Sequence, residues 1–180
     1  MGGSIAIDFT LKYQDLVEYL VLSGPSISGF KPTIDEASQL RSLAGISIVK
    51  RDEKFKQSVE FMLGDPMWRQ GNQKAHQHLR NMFMDTSLGW ILDDTIQIEN
   101  VPAVEKLCEI DKRTLLIIGS NDSQPIKEIA KLLETNIATI QIANINDTGH
   151  LPNLDKPEIF NEVVLDFLLN NTKGAGLNII

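Results

Sequence analysis

The sequence predicts an α/β fold with a mostly parallel sheet, and three observations carry that prediction. Short aliphatic runs recur at Tyr19–Leu22, Thr114–Ile118 and Ala138–Ile142. The first two end abruptly, at Ser23-Gly24-Pro25 and at Gly119. Stretches with helical spacing of apolar residues lie between the runs. Strands that alternate with helices build a parallel sheet covered on its faces.

The elements follow in chain order. Residues 5–17 set Ile5, Phe9 and Val17 among polar positions, with Ala6 and Leu11 nearby. That spacing predicts a helix with one buried face. A secretory signal fits poorly, because Asp8 interrupts the apolar run and no basic region precedes it. Tyr19-Leu20-Val21-Leu22 reads as a strand buried on both faces. Roughly residues 31–103 differ in character, with helical segments around 34–46, 51–63 and 72–85. Gly64-Asp65-Pro66 and Gly89 mark bends there. The simplest account is a helical insertion between consecutive strands, covering one edge or mouth of the sheet. A separately folding helical domain is the alternative, marginal at about seventy residues.

After the strand Thr114–Ile118, Pro125 precedes the helical pattern Ile126, Ile129, Ala130, Leu132, Leu133. Ala138–Ile142 is the next strand, and Asn144–Gly149 a polar loop. Residues 157–169 form a last helix, with Ile159, Phe160, Val163, Val164, Phe167 and Leu168 at helical spacing and Pro157 suited to the first turn. The division expected is a core from residues 1–30 and 101–170, a helical cap insertion at 31–100, and a frayed tail at 171–180.

Composition narrows the function classes. Of 180 residues, 42% are apolar and 23% charged, as in ordinary globular proteins. The formal charge of −7, from 24 acidic and 17 basic residues, opposes unspecific binding to nucleic acid or an anionic membrane. No Lys/Arg run offsets it. Cys108 is the only cysteine, which excludes an intrachain disulfide and a Cys-rich zinc site and fits a reducing, cytoplasmic compartment, although a bacterial secreted protein can also lack disulfides. No run of about 18 uncharged apolar residues predicts a membrane span. Gly24 and Gly119 belong to no Gly-x-Gly-x-x-Gly or Walker pattern, so no nucleotide cofactor, and no cofactor of any kind, is expected.

The residues with chemical potential are Asp122 and His150, 28 positions apart. Asp122 follows one strand through Gly119-Ser120-Asn121, and His150 follows the next strand. Adjacent parallel strands put these loops on one side of the sheet, where open α/β folds bind ligands. An aspartate bonded to a histidine fixes its tautomer and stabilises its protonated form. On position alone, two ordinary surface loop residues remain an equal reading.

Three stretches, in order, carry a resemblance. They are Met1-Gly2-Gly3 through Ala6, Tyr13, Val17 and Leu20-Val21-Leu22; Pro102–Leu107 with Ile110 and Thr114–Asp122; and Gly149-His150-Leu151-Pro152-Asn153-Leu154-Asp155-Lys156-Pro157-Glu158. They resemble, respectively, the helix after the nucleophile elbow with its following strand, the cap exit with the acid-bearing turn, and the histidine loop with the last helix of the α/β-hydrolase superfamily. Capped carboxylesterases, haloperoxidase-like enzymes and C–C hydrolases are the particular relatives. The resemblance covers residues 1–25 and 101–169. It implies an incomplete α/β-hydrolase core with a helical cap, and a small-molecule substrate.

The start departs from the family pattern. The elbow has the form Gly-x-Ser-x-Gly, and in register with Gly2-Gly3 the nucleophile falls just before Met1. The resemblance therefore implies a truncated chain whose intact parent is a serine hydrolase, and which is itself inactive. In that parent His150 activates the serine, Asp122 orients the imidazole, and water hydrolyses an acyl intermediate. The backbone N–H at Met1 then occupies an oxyanion-hole position. An Asp or Cys nucleophile, and an ester, amide or carbon–carbon substrate, all remain open.

Ser4, in Gly2-Gly3-Ser4-Ile5-Ala6, is the alternative nucleophile, but three preceding residues are too few for the supporting strand; a helix-start role suits it better. Asp147 is an alternative acid, or a turn residue. Trp68 and Trp90, with Met62, Phe83 and Met84, either line an apolar acyl pocket or pack the cap. His76 and His78, two positions apart, face different sides of a helix and make a poor metal pair, so no metal site is expected. The alternative to an enzyme is a non-catalytic remnant that binds or self-associates through an exposed sheet edge.

Overall fold

The structure, a computed structural model, describes residues 2–31, 53–68, 71–85 and 102–169. Three parallel strands form the sheet: β1 (Tyr19–Ser23), β2 (Arg113–Gly119) and β3 (Ile140–Ile145), in the order β1-β2-β3. Leu20 pairs with Thr114 and Leu22 with Leu116, while Leu116 pairs with Ile142 and Gly119 with Ile145. The helices are α1 (Gly2–Lys12), α2 (Glu53–Gly64), α3 (Gln73–Asp85), α4 (Gln124–Asn136), α5 (Pro152–Asp155) and α6 (Pro157–Leu169). Single 3-10 turns occur at Gln14–Leu16, Ala103–Glu105 and Leu107–Glu109.

Alternation along the strands divides the core in two. Leu20 and Leu22 of β1 and Leu116 and Ile118 of β2 face one side, against Ile7 of α1 and Ile126, Ile129, Ala130 and Leu133 of α4. Leu115, Ile117, Ala143 and Ile145 face the other, against Val163 and Phe167 of α6. Six consecutive residues of β2, from Thr114 to Gly119, are buried. This central strand therefore reads as an unbroken apolar run, as expected of a strand covered on both faces. A third cluster stands apart from the sheet, where Phe55, Val59 and Leu63 of α2 meet Leu79 of α3. The chain thus has an α/β core of incomplete α/β-hydrolase type with a helical cap.

Several expectations need correction. Burial alternates along β1, and Val21 is 37% exposed, so this strand is covered on one face rather than both. Its position explains this: among the described residues β1 is an outer strand. β3 begins at Ile140, not Ala138, and runs on through Asn144, which pairs with Ile118. The opening helix ends at Lys12, and it buries Ile7 and Thr10 while Ile5 and Phe9 point outward at 56% and 45% exposure. Helices expected around 51–63 and 72–85 correspond to α2 and α3. The segment 34–46, the bend at Gly89 and the tail 171–180 lie outside the described residues. Among the described residues no helix is long and apolar enough to cross a membrane.

Candidate active site

Two neighbouring strand ends build the site. Beyond β2 the chain turns at Gly119-Ser120-Asn121 and delivers Asp122; beyond β3 it passes Asn146–Gly149 and delivers His150. The turns lock together through their backbones. Ser120 N–H donates to the Ile145 carbonyl at 3.1 Å, and Asn121 N–H to the Thr148 carbonyl at 2.9 Å. Glycine at 119 is what permits this approach, because a Cβ there would collide with the carbonyl oxygens of Thr148 and Gly149. The Thr148 hydroxyl, fully buried, donates back to the Ile145 carbonyl at 2.8 Å and stiffens the loop before His150.

The two side chains meet. Both carboxylate oxygens of Asp122 lie 3.1 Å from His150 Nδ1. Asp122 is 4% exposed, and its Oδ1 also accepts the Ser123 N–H at 2.8 Å. An ionised carboxylate can only accept, so in a neutral imidazole so held the proton sits on Nδ1 and Nε2 keeps its lone pair. The imidazole remains 21% exposed. A histidine held in this tautomer by a buried carboxylate can take a proton from a nucleophile through Nε2.

Three further contacts surround the ring. Gly24, just past β1, adopts φ +49°, and a Cβ on it would lie 2.9 Å from His150 Nδ1 and Cε1 and 3.1 Å from Asp122 Oδ2. The Trp68 ring stands edge-on to the imidazole with centroids 5.1 Å apart, and edge-on to Phe83 at 5.4 Å. His150 N–H donates to the Met67 carbonyl at 2.8 Å. Leu151, next in sequence, packs against the cap cluster. The sheet thus supplies acid and imidazole, and the cap supplies a wall.

The start of α1 lies beside this assembly. α1 leads into the amino end of β1, so its own first turn returns toward the carboxyl edge of the sheet. A Cβ on Gly3 would lie 2.5 Å from Pro25 Cβ, and Pro25 directly follows the glycine under His150. Ser4 is the third residue of α1, and among the described residues no hydrogen bond joins it to His150.

The other candidates fall elsewhere. Asp147 is not at the imidazole: its carboxylate is 91% exposed and lies 4.0 Å from Lys156 Nζ. His76 and His78 lie on α3, and no metal-binding cluster occurs among the described residues. Met62 is buried in the cap, with Phe83 and Met84 partly buried there. Met1 and Trp90 lie outside the described residues. Sequence reasoning missed the contacts of Gly24 and of the Met67 carbonyl. For Gly24 a signal was present, a Gly-Pro step at the carboxyl end of a strand.

No protein-family model matches the chain. It is 26% identical over 181 residues to a 2-hydroxy-6-oxononadienedioate/2-hydroxy-6-oxononatrienedioate hydrolase of Pseudomonas putida, covering 93% of the chain and 60% of that protein. The similarly described hydrolase of Escherichia coli K12 is 26% identical over 183 residues, with 93% and 59% covered. The chain therefore spans about 60% of the length of the curated relatives it matches. Among solved structures, an esterase from Thermogutta terrifontis superposes with a TM-score of 0.71 at 24% identity, over 93% of the chain and 61% of that structure. MenH from S. aureus gives 0.71 at 20% identity, over 93% and 64%. These likenesses show the fold alone: the chain carries part of the architecture that these solved structures share.

Proposed function

We propose that this chain is the acid- and histidine-bearing part of a serine hydrolase that acts on a small ester or related carbonyl compound. The observation that carries the reading is the His150–Asp122 pair, held by two interlocked strand ends with Nδ1 turned to the buried carboxylate. The nucleophile in this reading is a serine just upstream of Met1. The packing of Gly3 on Pro25 and of Gly24 under His150 supports that position, because it brings the first turn of α1 beside the imidazole.

In the reaction, the serine oxygen attacks the carbonyl carbon while its proton passes to Nε2 of His150. Asp122 holds the imidazole and balances the charge that forms on it. A backbone N–H aimed at the developing oxyanion is worth about 3 kcal/mol in the transition state. The protonated imidazole then returns its proton to the leaving group, and water attacks the acyl intermediate with His150 as base. Trp68 forms an apolar wall for the substrate. No step requires a cofactor. Without the serine, the 180 residues by themselves do not turn over substrate.

Turnover of a short activated ester tests this, comparing the 180-residue chain, its Ser4→Ala and His150→Ala variants, and a full-length parent. The expected result is no turnover by the chain, turnover by the parent, and loss of that turnover in His150→Ala. Robust turnover by the 180 residues that vanishes in Ser4→Ala, with folding unchanged, would make Ser4 the nucleophile. A panel of esters, amides and β-diketone-like compounds then assigns the bond cleaved.

A second reading, a self-associating or binding role, draws on a separate observation. Ile5, Phe9 and Tyr13 follow i, i+4, i+8 spacing along α1 and just past it, and are 56%, 45% and 42% exposed.

A further inference from the structure

We propose that Asp155 is a positioning residue of the candidate site, holding the cap strap that seats Trp68 against His150. The inference rests on the reading of His150 as the catalytic base.

Beside the packing of Leu151 on the cap cluster, two hydrogen bonds tie the cap to the histidine segment among the described residues. In the first, His150 N–H donates to the Met67 carbonyl at 2.8 Å. In the second, Asp155 Oδ1 accepts the Asn72 N–H at 2.9 Å. Between these ties lies Trp68, whose ring meets the imidazole edge-on with centroids 5.1 Å apart. Ahead of Trp68, the strap is set by its own turn: Asp65 Oδ1 accepts the Met67 N–H at 2.8 Å, and Trp68 N–H donates to the Asp65 carbonyl at 3.0 Å. Toward α3, Gly71 brings the backbone close, with its Cβ position 3.5 Å from Asp155 Oδ1.

Charge and burial suit Asp155 to this task. It is 8% exposed, and its Oδ2 is buried without a partner among the described residues. Burying a carboxylate is costly unless it is bonded. What offsets that cost is the first turn of α3, where unpaired N–H groups and the positive end of the helix dipole favour an anion. Asn72 itself caps that turn, with its Oδ1 accepting the N–H groups of Lys74 and Ala75. Asp155 and the helix end therefore depend on each other, and the partnership joins two segments 83 positions apart. The chain enters Asp155 through the single turn of α5, five residues beyond His150. Gly71 lies only three positions from Trp68, so the tie at Asp155 limits where Trp68 can sit, and its loss loosens the contact of Trp68 with the imidazole.

The test uses the whole chain and needs no turnover, so its failure is distinct from failure of the hydrolase reading. Nuclear Overhauser contacts between the Trp68 indole and the His150 ring protons, and the ring-current shift of those protons, report the seating directly. In Asp155→Ala both are expected to disappear, while far-ultraviolet circular dichroism stays unchanged. In Asp155→Asn both are expected to persist, because the amide oxygen still accepts the Asn72 N–H. Persistence of both signals in Asp155→Ala would overturn the proposal. Should that variant fail to fold, amide hydrogen exchange in the unaltered chain decides. Slow, concerted exchange of the Asn72 and His150 amides supports the proposal. An Asn72 amide that exchanges as in a free peptide overturns it.

Discussion

Gly24 shows how much of the site depends on a single missing carbon. Its φ of +49° falls in the left-handed region, which costs other residues about 1–2 kcal/mol. A Cβ would also press on the imidazole at 2.9 Å. Gly24→Ala is therefore expected to lower stability by about 1–2 kcal/mol in urea titration. On the proposed hydrolase reading, in which His150 carries the reacting proton, the same substitution in a full-length parent is expected to reduce kcat with little change in KM. A variant with unaltered stability and turnover would refute that account. Asp122→Asn tests the partner on the other side. An amide can offer its NH₂ to Nδ1 and so reverse the tautomer, with an expected loss in kcat on the order of 10⁴-fold. That Asp122 and His150 meet was legible in the sequence because each follows a recognisable strand, and strand ends on one side of a sheet converge. Asp155 was not legible in this role, since its partner is a backbone amide 83 positions away that no residue type advertises.

At the scale of elements, the apolar period carried the reading where an element is covered and failed where it is not. α6 spans Pro157–Leu169 as expected, because Val163 and Phe167 repeat at helical spacing toward the sheet and Pro157 suits the first turn. β2 was equally plain. β3 was displaced because Thr139 has strand character yet spends its groups sideways: its hydroxyl donates to the Lys112 carbonyl, and its own carbonyl accepts the Thr114 N–H. At the other end, pairing with Ile118 draws Asn144 into the strand while its side chain stays exposed between buried Ala143 and Ile145. The buried face of α1 was misassigned because the helix has two apolar faces, and periodicity alone does not say which one meets the sheet. These differences predict unequal costs for similar substitutions. Phe167 is 1% exposed and lies under Arg113, whose guanidinium is 4.9 Å from the ring centroid and donates to the Phe167 carbonyl at 3.0 Å. Phe167→Ala is expected to cost about 3–5 kcal/mol. Phe9→Ala, on the exposed face of α1, should stay within about 1 kcal/mol, because a surface residue leaves no cavity. Equal shifts of the urea midpoint would contradict this assignment of faces.

For the whole molecule, two tendencies oppose each other. The outward face of α1 carries Ile5 and Phe9, continued by Tyr13 and Leu16, the last 75% exposed. Among the described residues β1 is also an outer strand, and an outer strand presents backbone groups for pairing. Contiguous apolar surface of this kind favours association. Against it stands the formal charge of −7, which repels one copy from another. The repulsion acts through solvent and is screened over roughly 10 Å at about 0.1 M salt, whereas burial of the apolar stripe is not screened. Raising salt therefore weakens only the opposing term. The sedimentation coefficient of the 180-residue chain is expected to rise with protein concentration, and to rise further with added sodium chloride. Phe9→Lys and Leu16→Lys should each shift the distribution toward monomer, because a solvated cation replaces an apolar contact. These substitutions also lower the net negative charge, so a purely electrostatic association would respond in the opposite direction. A monodisperse monomer at every concentration and salt level would show that the α1 stripe drives no association.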